Sequence, residues 1–275
     1  MTTHSTPSPT IVDVRVRRSL EWLAPIVVDG LIRVGGDSDG GYVIPERLLK
    51  EADVLISMGL GPNWQFEKDV RALNPAIRVH VYDHTVSEKV FRRHYFAAVV
   101  GRLTGKLRWV DVQRRRQRLQ DYRTFFGREA THFQQRIHDR QDVPVEVDIP
   151  TVFDRAGSGR VFVKMDIEGT EYRVLEHVLA YADRIVGLAI EFHDTGPLRP
   201  VFERTMERVR DHFEIVHLHA NNFAPTFRDG LPEALEITVA HKNQIRGVRR
   251  RRELPLQGLD RPNAPGRPDY RLTFL

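Results

Sequence analysis

Acidic residues stand where the apolar runs of this chain stop. Val161 to Met165 (VFVKM) ends at Asp166, with Glu168 and Gly169 following; Ile185 to Phe192 (IVGLAIEF) carries Glu191, then His193 and Asp194; Val79 to Tyr82 (VHVY) ends at Asp83 and His84. Runs of this length and β-branched content read as buried strands, and ligands of open parallel sheets bind at the carboxyl ends of strands. Carboxylates placed there can grip ribose hydroxyls or hold a hard cation, and an imidazole beside them can move a proton. The plainer reading of Glu168 and Glu171 is that they open a helix, where acids favour the positive end of its dipole.

The run Asp53 to Ser57 (DVLIS) leads into Met58, Gly59, Leu60 and Gly61, and a helix follows from about Trp64 to Leu73. Strand, glycine turn and helix form the unit that cradles a nucleotide or a nucleoside-bearing cofactor, and Asp83 falls about 22 residues beyond the second glycine, where an acid takes both ribose hydroxyls. A dinucleotide fingerprint requires a third Gly or Ala where Trp64 stands, which argues against hydride chemistry with a nicotinamide. Phe213 to His219 (FEIVHLH) is a further strand, ending near Asn221 and Asn222. His193 is the first candidate for a base, and His219 for a third ligand or a substrate contact; each reads equally as a hydrogen-bonded structural histidine. The asparagines can donate and accept as sugar recognition requires, and adjacent asparagines also make turns. Arg33 to Pro45 (RVGGDSDGGYVIP) reads as a tight hairpin, though its glycine density would equally let backbone approach a ligand.

The elements that must carry these residues are those of an α/β domain. Of 275 residues, 41% are hydrophobic and 29% charged, ordinary proportions for one domain with an insertion. No apolar run is long enough to span a membrane, and MTTHSTPSPT reads as a loose arm, not a secretion signal. The absence of cysteine excludes disulfides, thiolate nucleophiles and Cys-ligated zinc, and a cytoplasmic location is expected. The net charge of +5 comes mostly from arginine runs at 114–118 and 249–252, which read as a solvated surface; no recognition helix or zinc finger accompanies them, so no nucleic acid is expected. Ile11 to Val28 reads as a helical lead-in behind the arm, giving a first segment of 1–29. A main domain at 30–245 follows, with a helical cover inserted at about 88–142, and then a basic, Pro-rich tail at 246–275. Within the cover, His132 and His138 read as surface histidines. Val143 to Val147 reads as an edge strand, Leu235 to Ala240 as a late antiparallel strand and Tyr270 to Phe274 as a final edge strand.

Taken together, VKMDIEGTEYRVL, ISMGLG, VYDH and AIEFHD, with RVGGDSDGGYV before them and HLHANN and LEIT after, resemble the FkbM-type methyltransferases over roughly residues 30–240. The resemblance implies a Rossmann-like class I methyltransferase fold with a mostly parallel seven-stranded sheet. It implies S-adenosylmethionine as cofactor, held by Gly59, Gly61, Asn63, Asp83, His84 and Tyr42. The expected acceptor is a hydroxyl of a sugar or oligosaccharide, with Asn221 and Asn222 as substrate contacts and His193 and Glu168 as catalytic groups. Some relatives that methylate sugars bind magnesium through strand-end acids, which points to Mg2+ on Asp166, Glu191 and His219. Where those relatives carry a histidine just after the first acid, this chain has Gly169. The physics agrees with a metal: a sugar hydroxyl is a poor nucleophile near neutrality, and two adjacent carboxylates repel unless a hard cation relieves them. A non-sugar natural product or lipid as acceptor, a non-catalytic binding protein on the same fold, and a homodimer all stay open at this stage.

Overall fold

The computed structural model describes residues 11–275; the expected arm lies outside them. In chain order the elements are β1 (Ile11–Arg15), β2 (Leu31–Val34), β3 (Tyr42–Pro45), α1 (Glu46–Glu51), β4 (Val54–Met58), α2 (Gln65–Leu73), β5 (Arg78–Tyr82), α3 (Glu88–Leu103), α4 (Trp109–Arg128), β6 (Thr131–Phe133), β7 (Arg136–Ile137), β8 (Glu146–Val147), α5 (Ile149–Ala156), β9 (Val161–Met165), α6 (Glu171–Leu179), β10 (Ile185–Phe192), α7 (Arg199–His212), β11 (Phe213–Ala220), β12 (Leu235–His241), β13 (Glu253–Leu254) and β14 (Asp269–Thr273).

The central sheet has seven strands in the order β11-β12-β10-β9-β4-β5-β6, and β12 alone runs against its neighbours. The chain enters at β4, builds outward through β5 to β6, then returns to the other side of β4 at β9 and builds the opposite half. Between β4 and β9 the order therefore reverses, and that is where an open sheet leaves a crevice at its carboxyl edge. This is the Rossmann-like, mostly parallel arrangement that the sequence predicts.

Alternation within the buried strands explains the two layers around the sheet. Val161, Val163 and Met165 of β9 enter the core shared with α5, α6 and α7, while Phe162 between them enters the other core, with Leu48, Phe66 and Val70. Burying Phe162 alone contributes about 1.5–3 kcal/mol of transfer free energy, and its side chain is fully enclosed. Asp148 caps α5 through the Thr151 N–H at 3.0 Å, and Ser87 caps α3 through the Val90 N–H at 3.2 Å.

Three parts differ from the sequence reading. The lead-in is not an α-helix: Ile11–Arg15 is a strand paired in parallel with β14, followed by a 3-10 helix at Arg18–Leu23. Val14, Val16, Leu20 and Leu23 fit either period, and pairing with the tail decides between them. The 88–142 stretch is a helical hairpin only as far as Arg128; beyond it, Thr131–Phe133 is the edge strand of the central sheet. The expected strand at 143–147 shrinks to a two-residue pairing of β8 with β7.

Candidate active site

Gly59, at the exit of β4, sits against Asp166 at the exit of β9. Its φ is +83°, and a Cβ there would lie 1.7 Å from the Asp166 carbonyl oxygen, so only glycine lets the two strand exits meet. Beside this contact lies a cavity of about 570 Å³, within the usual range for a cofactor pocket. The glycine turn, Asn63, Asp83, His84, Asp166 and Glu168 line it. The turn of the β2–β3 hairpin also reaches it with Ser38, Asp39 and Gly40, so Arg33 to Pro45 is both a hairpin and a wall of the cavity. Arg33 holds that turn by donating to the carbonyls of Gly36 and Ser38, at 3.0 and 2.8 Å.

Asp83 is the most heavily engaged of these groups. One carboxylate oxygen accepts the N–H groups of Leu60 and Gly61 at 2.9 and 3.0 Å; the other accepts the N–H and hydroxyl of Thr85, both at 2.6 Å. Although burial opposes it, these bonds hold the carboxyl below its ordinary range. A carboxylate has about four acceptor positions, so ribose hydroxyls would have to take over some that now brace the glycine turn. Tyr82 is also on the wall, with its hydroxyl buried and the Arg155 guanidinium 5.9 Å from its ring centre.

The second half of the site lies across β9, β10 and β12. Asp166, Glu191 and His193 present oxygen, oxygen and nitrogen atoms that all lie within 4.8 Å of one another. The His193 Nδ1 is 3.2 Å from Glu171 Oε1, while Nε2 is 3.5 Å from Glu168 and 3.9 Å from Glu191. Glu171 is fully buried and also accepts the Ile167 N–H at 3.0 Å, so it fixes the ring with Nε2 turned towards the acids. A carboxylate behind an imidazole is the usual support of a ligating histidine. Burial alone would lower the His193 pKa, but the Glu171 bond and the charges of Glu191 and Asp166 raise it to about 9. Burial, with Glu236 and Asp166 close by, raises Glu191 to about 9 as well. A group of two oxygens and one nitrogen, crowded with negative charge, suits a hard divalent cation.

Other expected residues have different work. His219 does not reach Asp166. In the β10–β12–β11 register Glu236 lies opposite both Glu191 and His219, and the His219 ring is spent on Glu236 at 3.1 Å and Asp269 at 3.7 Å. Asn221 donates to Glu191 at 2.6 Å and accepts the Phe223 N–H at 2.8 Å, which makes it a support for Glu191 and a turn residue. Asn222 is buried and clamps the tail, donating to the carbonyls of Ala264, Arg267 and Pro268 and accepting the Ala264 N–H. Neither asparagine is open to a substrate. Tyr42 does not itself line the cavity: it packs edge-on behind Phe66, which does, and its buried hydroxyl has no hydrogen-bond partner among the described residues.

Four residues of the site went unassigned in the sequence. Lys164, 5% exposed, donates to the Gly59 carbonyl at 2.8 Å and lies 3.8 Å from Asp166, tying the two halves together. Its only sequence signal is a lysine inside an apolar strand. Asp39, Glu191 and Glu236 form a second close group, and Asn263 bridges Glu236 and Asp39 at 2.5 and 3.2 Å. The acids of that group come from the hairpin turn, from β10 and from the reversed strand β12.

No protein-family model matches the chain, and no curated protein matches it. Solved structures do. Precorrin-6y C5,15-methyltransferase from Geobacter metallireducens GS-15 is similar over 72% of this chain and 86% of its own, at 13% identity and a TM-score of 0.37. Methyltransferase FkbM from Methylobacillus flagellatus KT is similar over 68% of this chain and 44% of its own, at 16% identity and 0.38. The fibrillarin pre-rRNA processing protein from Methanococcus jannaschii is similar over 70% and 68%, at 8% identity and 0.34. At such scores the fold assignment rests on the strand order described above.

Proposed function

We propose that this chain is an S-adenosylmethionine-dependent methyltransferase that methylates a hydroxyl of a sugar or oligosaccharide with the help of a divalent cation such as Mg2+. The observation that carries the reading is the meeting of Gly59 with Asp166 at the reversal of strand order: the cavity on one side is lined by the glycine turn and Asp83, and Glu191 and His193 stand on the other. In this reading the turn and Asp83 hold the cofactor's ribose and methionine ends, with His84 and Asn63 at the rim. Asp166, Glu191 and His193 hold the cation.

Methyl transfer from a sulfonium is an in-line displacement, so alignment of methyl and acceptor oxygen supplies much of the rate. S-adenosylmethionine supplies the activated methyl group. The cation would supply Lewis acidity that makes the acceptor hydroxyl easier to deprotonate. With a cation on Nε2, His193 would give up the proton it holds there near neutrality and keep the Nδ1–H on Glu171, which suits the ring better as ligand than as base. The acceptor's proton then falls to Glu168, which is on the cavity wall 3.5 Å from His193 Nε2. Glu168 adopts a φ of +54°, a strained conformation of the kind that clusters at working sites. Replacing it by Gln is expected to lower turnover by about a hundredfold or more at unchanged cofactor affinity.

The test is calorimetric titration with S-adenosylhomocysteine, with and without Mg2+, followed by mass spectrometry of a glycan extract treated with enzyme and cofactor. Binding of the homocysteine product and a methylated glycan that disappears with chelator are expected. Lack of affinity for the cofactor product would end the methyltransferase reading, and full turnover after exhaustive metal removal would end the cation part. Methylation confined to non-glycan material would end the sugar part.

A further inference from the structure

The hairpin of α3 and α4 turns an inner face to the protein, where Phe91, Leu119, Tyr122 and Phe125 are buried in the core. Its outer face carries an apolar stripe among its charges. Phe96, Val100 and Leu103 recur at i, i+4 and i+7 on α3, which makes one continuous stripe. They are 58%, 59% and 81% exposed, and just across the turn Trp109 and Val110 are 59% and 45% exposed. Solvent contact along such a stripe is costly, and contiguous exposed apolar patches mark interaction sites.

Charge distinguishes this patch from an ordinary apolar one. Residues 88–128 hold twelve Lys and Arg against three Asp and Glu, while the whole chain has 42 against 37, so the hairpin carries more net positive charge than the entire protein. The three acids are already paired: Glu88 with Arg123, Asp111 with Arg108 and Asp121 with Lys68. Lys89, Arg92 and Arg93 precede Phe96 on or beside the stripe, and Arg102, Lys106 and Arg108 surround the turn, all exposed. A second copy of the chain would set one strongly positive hairpin against another. Nucleic acid would satisfy the arginines and leave Leu103 and Trp109 in water. An anionic bilayer surface accepts both, with the acyl boundary taking the apolar stripe and the headgroup phosphates taking guanidinium and ammonium groups whose stems lie along it. No helix among the described residues is long and apolar enough to cross a membrane, so the contact is one of lying on the surface.

We propose that the tip of the α3–α4 hairpin docks this protein on an anionic membrane surface, with Phe96, Val100, Leu103 and Trp109 entering the interface and the surrounding arginines on lipid phosphates. This holds whatever the acceptor of the methyl group.

The test is sedimentation of the full chain with vesicles of phosphatidylcholine alone and of phosphatidylcholine mixed with phosphatidylglycerol. Partitioning to the anionic vesicles is expected, weakening as salt is raised and falling roughly tenfold in each of Val100→Glu and Leu103→Glu. Tryptophan emission should shift to the blue with anionic vesicles in the wild type but not in Trp109→Phe. Both glutamate variants replace exposed side chains, and an unchanged melting curve by circular dichroism confirms that they fold. Absence of partitioning, partitioning that Leu103→Glu leaves intact, or a self-association that this variant abolishes would each overturn the proposal.

Discussion

In the proposed reading Asp83 has two tasks at one carboxylate. The Leu60 and Gly61 N–H groups it accepts are those of the turn itself, so its loss would loosen the turn as well as remove a partner for ribose. Stranding these donors in a buried site costs about 1–3 kcal/mol. Asp83→Ala is therefore expected to lower both the melting temperature and the affinity for S-adenosylhomocysteine, with turnover at saturating cofactor little changed. A variant with full affinity in calorimetry would remove Asp83 from the cofactor site. Glu171 permits a sharper test, because it raises His193 to about 9 through a hydrogen bond and its charge. In Glu171→Gln the charge is gone, and the imidazole should titrate clearly lower, in NMR-detected titration, than in the wild type. An unmoved titration would show that Glu171 does not set the state of the ring.

Among the elements, the meeting of β4 with β9 makes the strongest demand on sequence. At Gly59 an added methyl collides with backbone, which no rotamer can relieve, and the left-handed φ adds strain; at Gly61, φ is +58° and nothing lies within 4 Å of the same methyl. Gly61→Ala should thus cost only the conformational penalty of about 1–2 kcal/mol, whereas Gly59→Ala must push the strand exits apart and should abolish cofactor binding. Thermal melts and calorimetry on the two variants separate these outcomes, and equal effects would refute the contact. The same junction shows what could be read from sequence and what could not. DVLIS, VFVKM and IVGLAIEF are continuous apolar runs ended by glycine or acid, so the sheet interior and the placing of Asp166, Glu191 and His193 at strand exits were legible. Glu236 was not, because its approach to Glu191 depends on β12 running backwards between β10 and β11. Nor was the three-residue β6, which is too short for any periodicity. The surroundings of His219 and Asn222 were not legible either: His219 meets Glu236 of the reversed strand and Asp269 of the tail, and Asn222 is held by the tail, tens of residues later in the chain.

Across the whole molecule that tail works as a strap. β14 closes on β1 in parallel, Asn222 grips the chain from Ala264 to Pro268, and two buried pairs, His217 with Asp260 and His219 with Asp269, fasten it to β11. Proton linkage follows from these pairs. Burial pulls the His219 pKa down from its ordinary 6.5, but Asp269 and Glu236 prevail and raise it to about 10. The folded protein keeps a proton that the unfolded chain releases near 6.5, so this contribution is complete below that pH and drains away as pH rises towards 10. His193 and Glu191, both raised to about 9, act with the same sign, while Asp260, lowered from 3.8, contributes above that value and is lost only as pH falls further. Melting temperature should therefore decline steadily along the alkaline side, from about pH 6.5 to 10, and protease should reach residues 253–275 before the central sheet opens. His219→Gln leaves Glu236 and Asp269 without their buried cation, at a cost of about 3–5 kcal/mol. That variant should melt lower at every pH, with a shallower alkaline decline that ends near pH 9, where His193 and Glu191 finish titrating. An alkaline slope identical to that of the wild type would mean that the strap is not held by a charged His219.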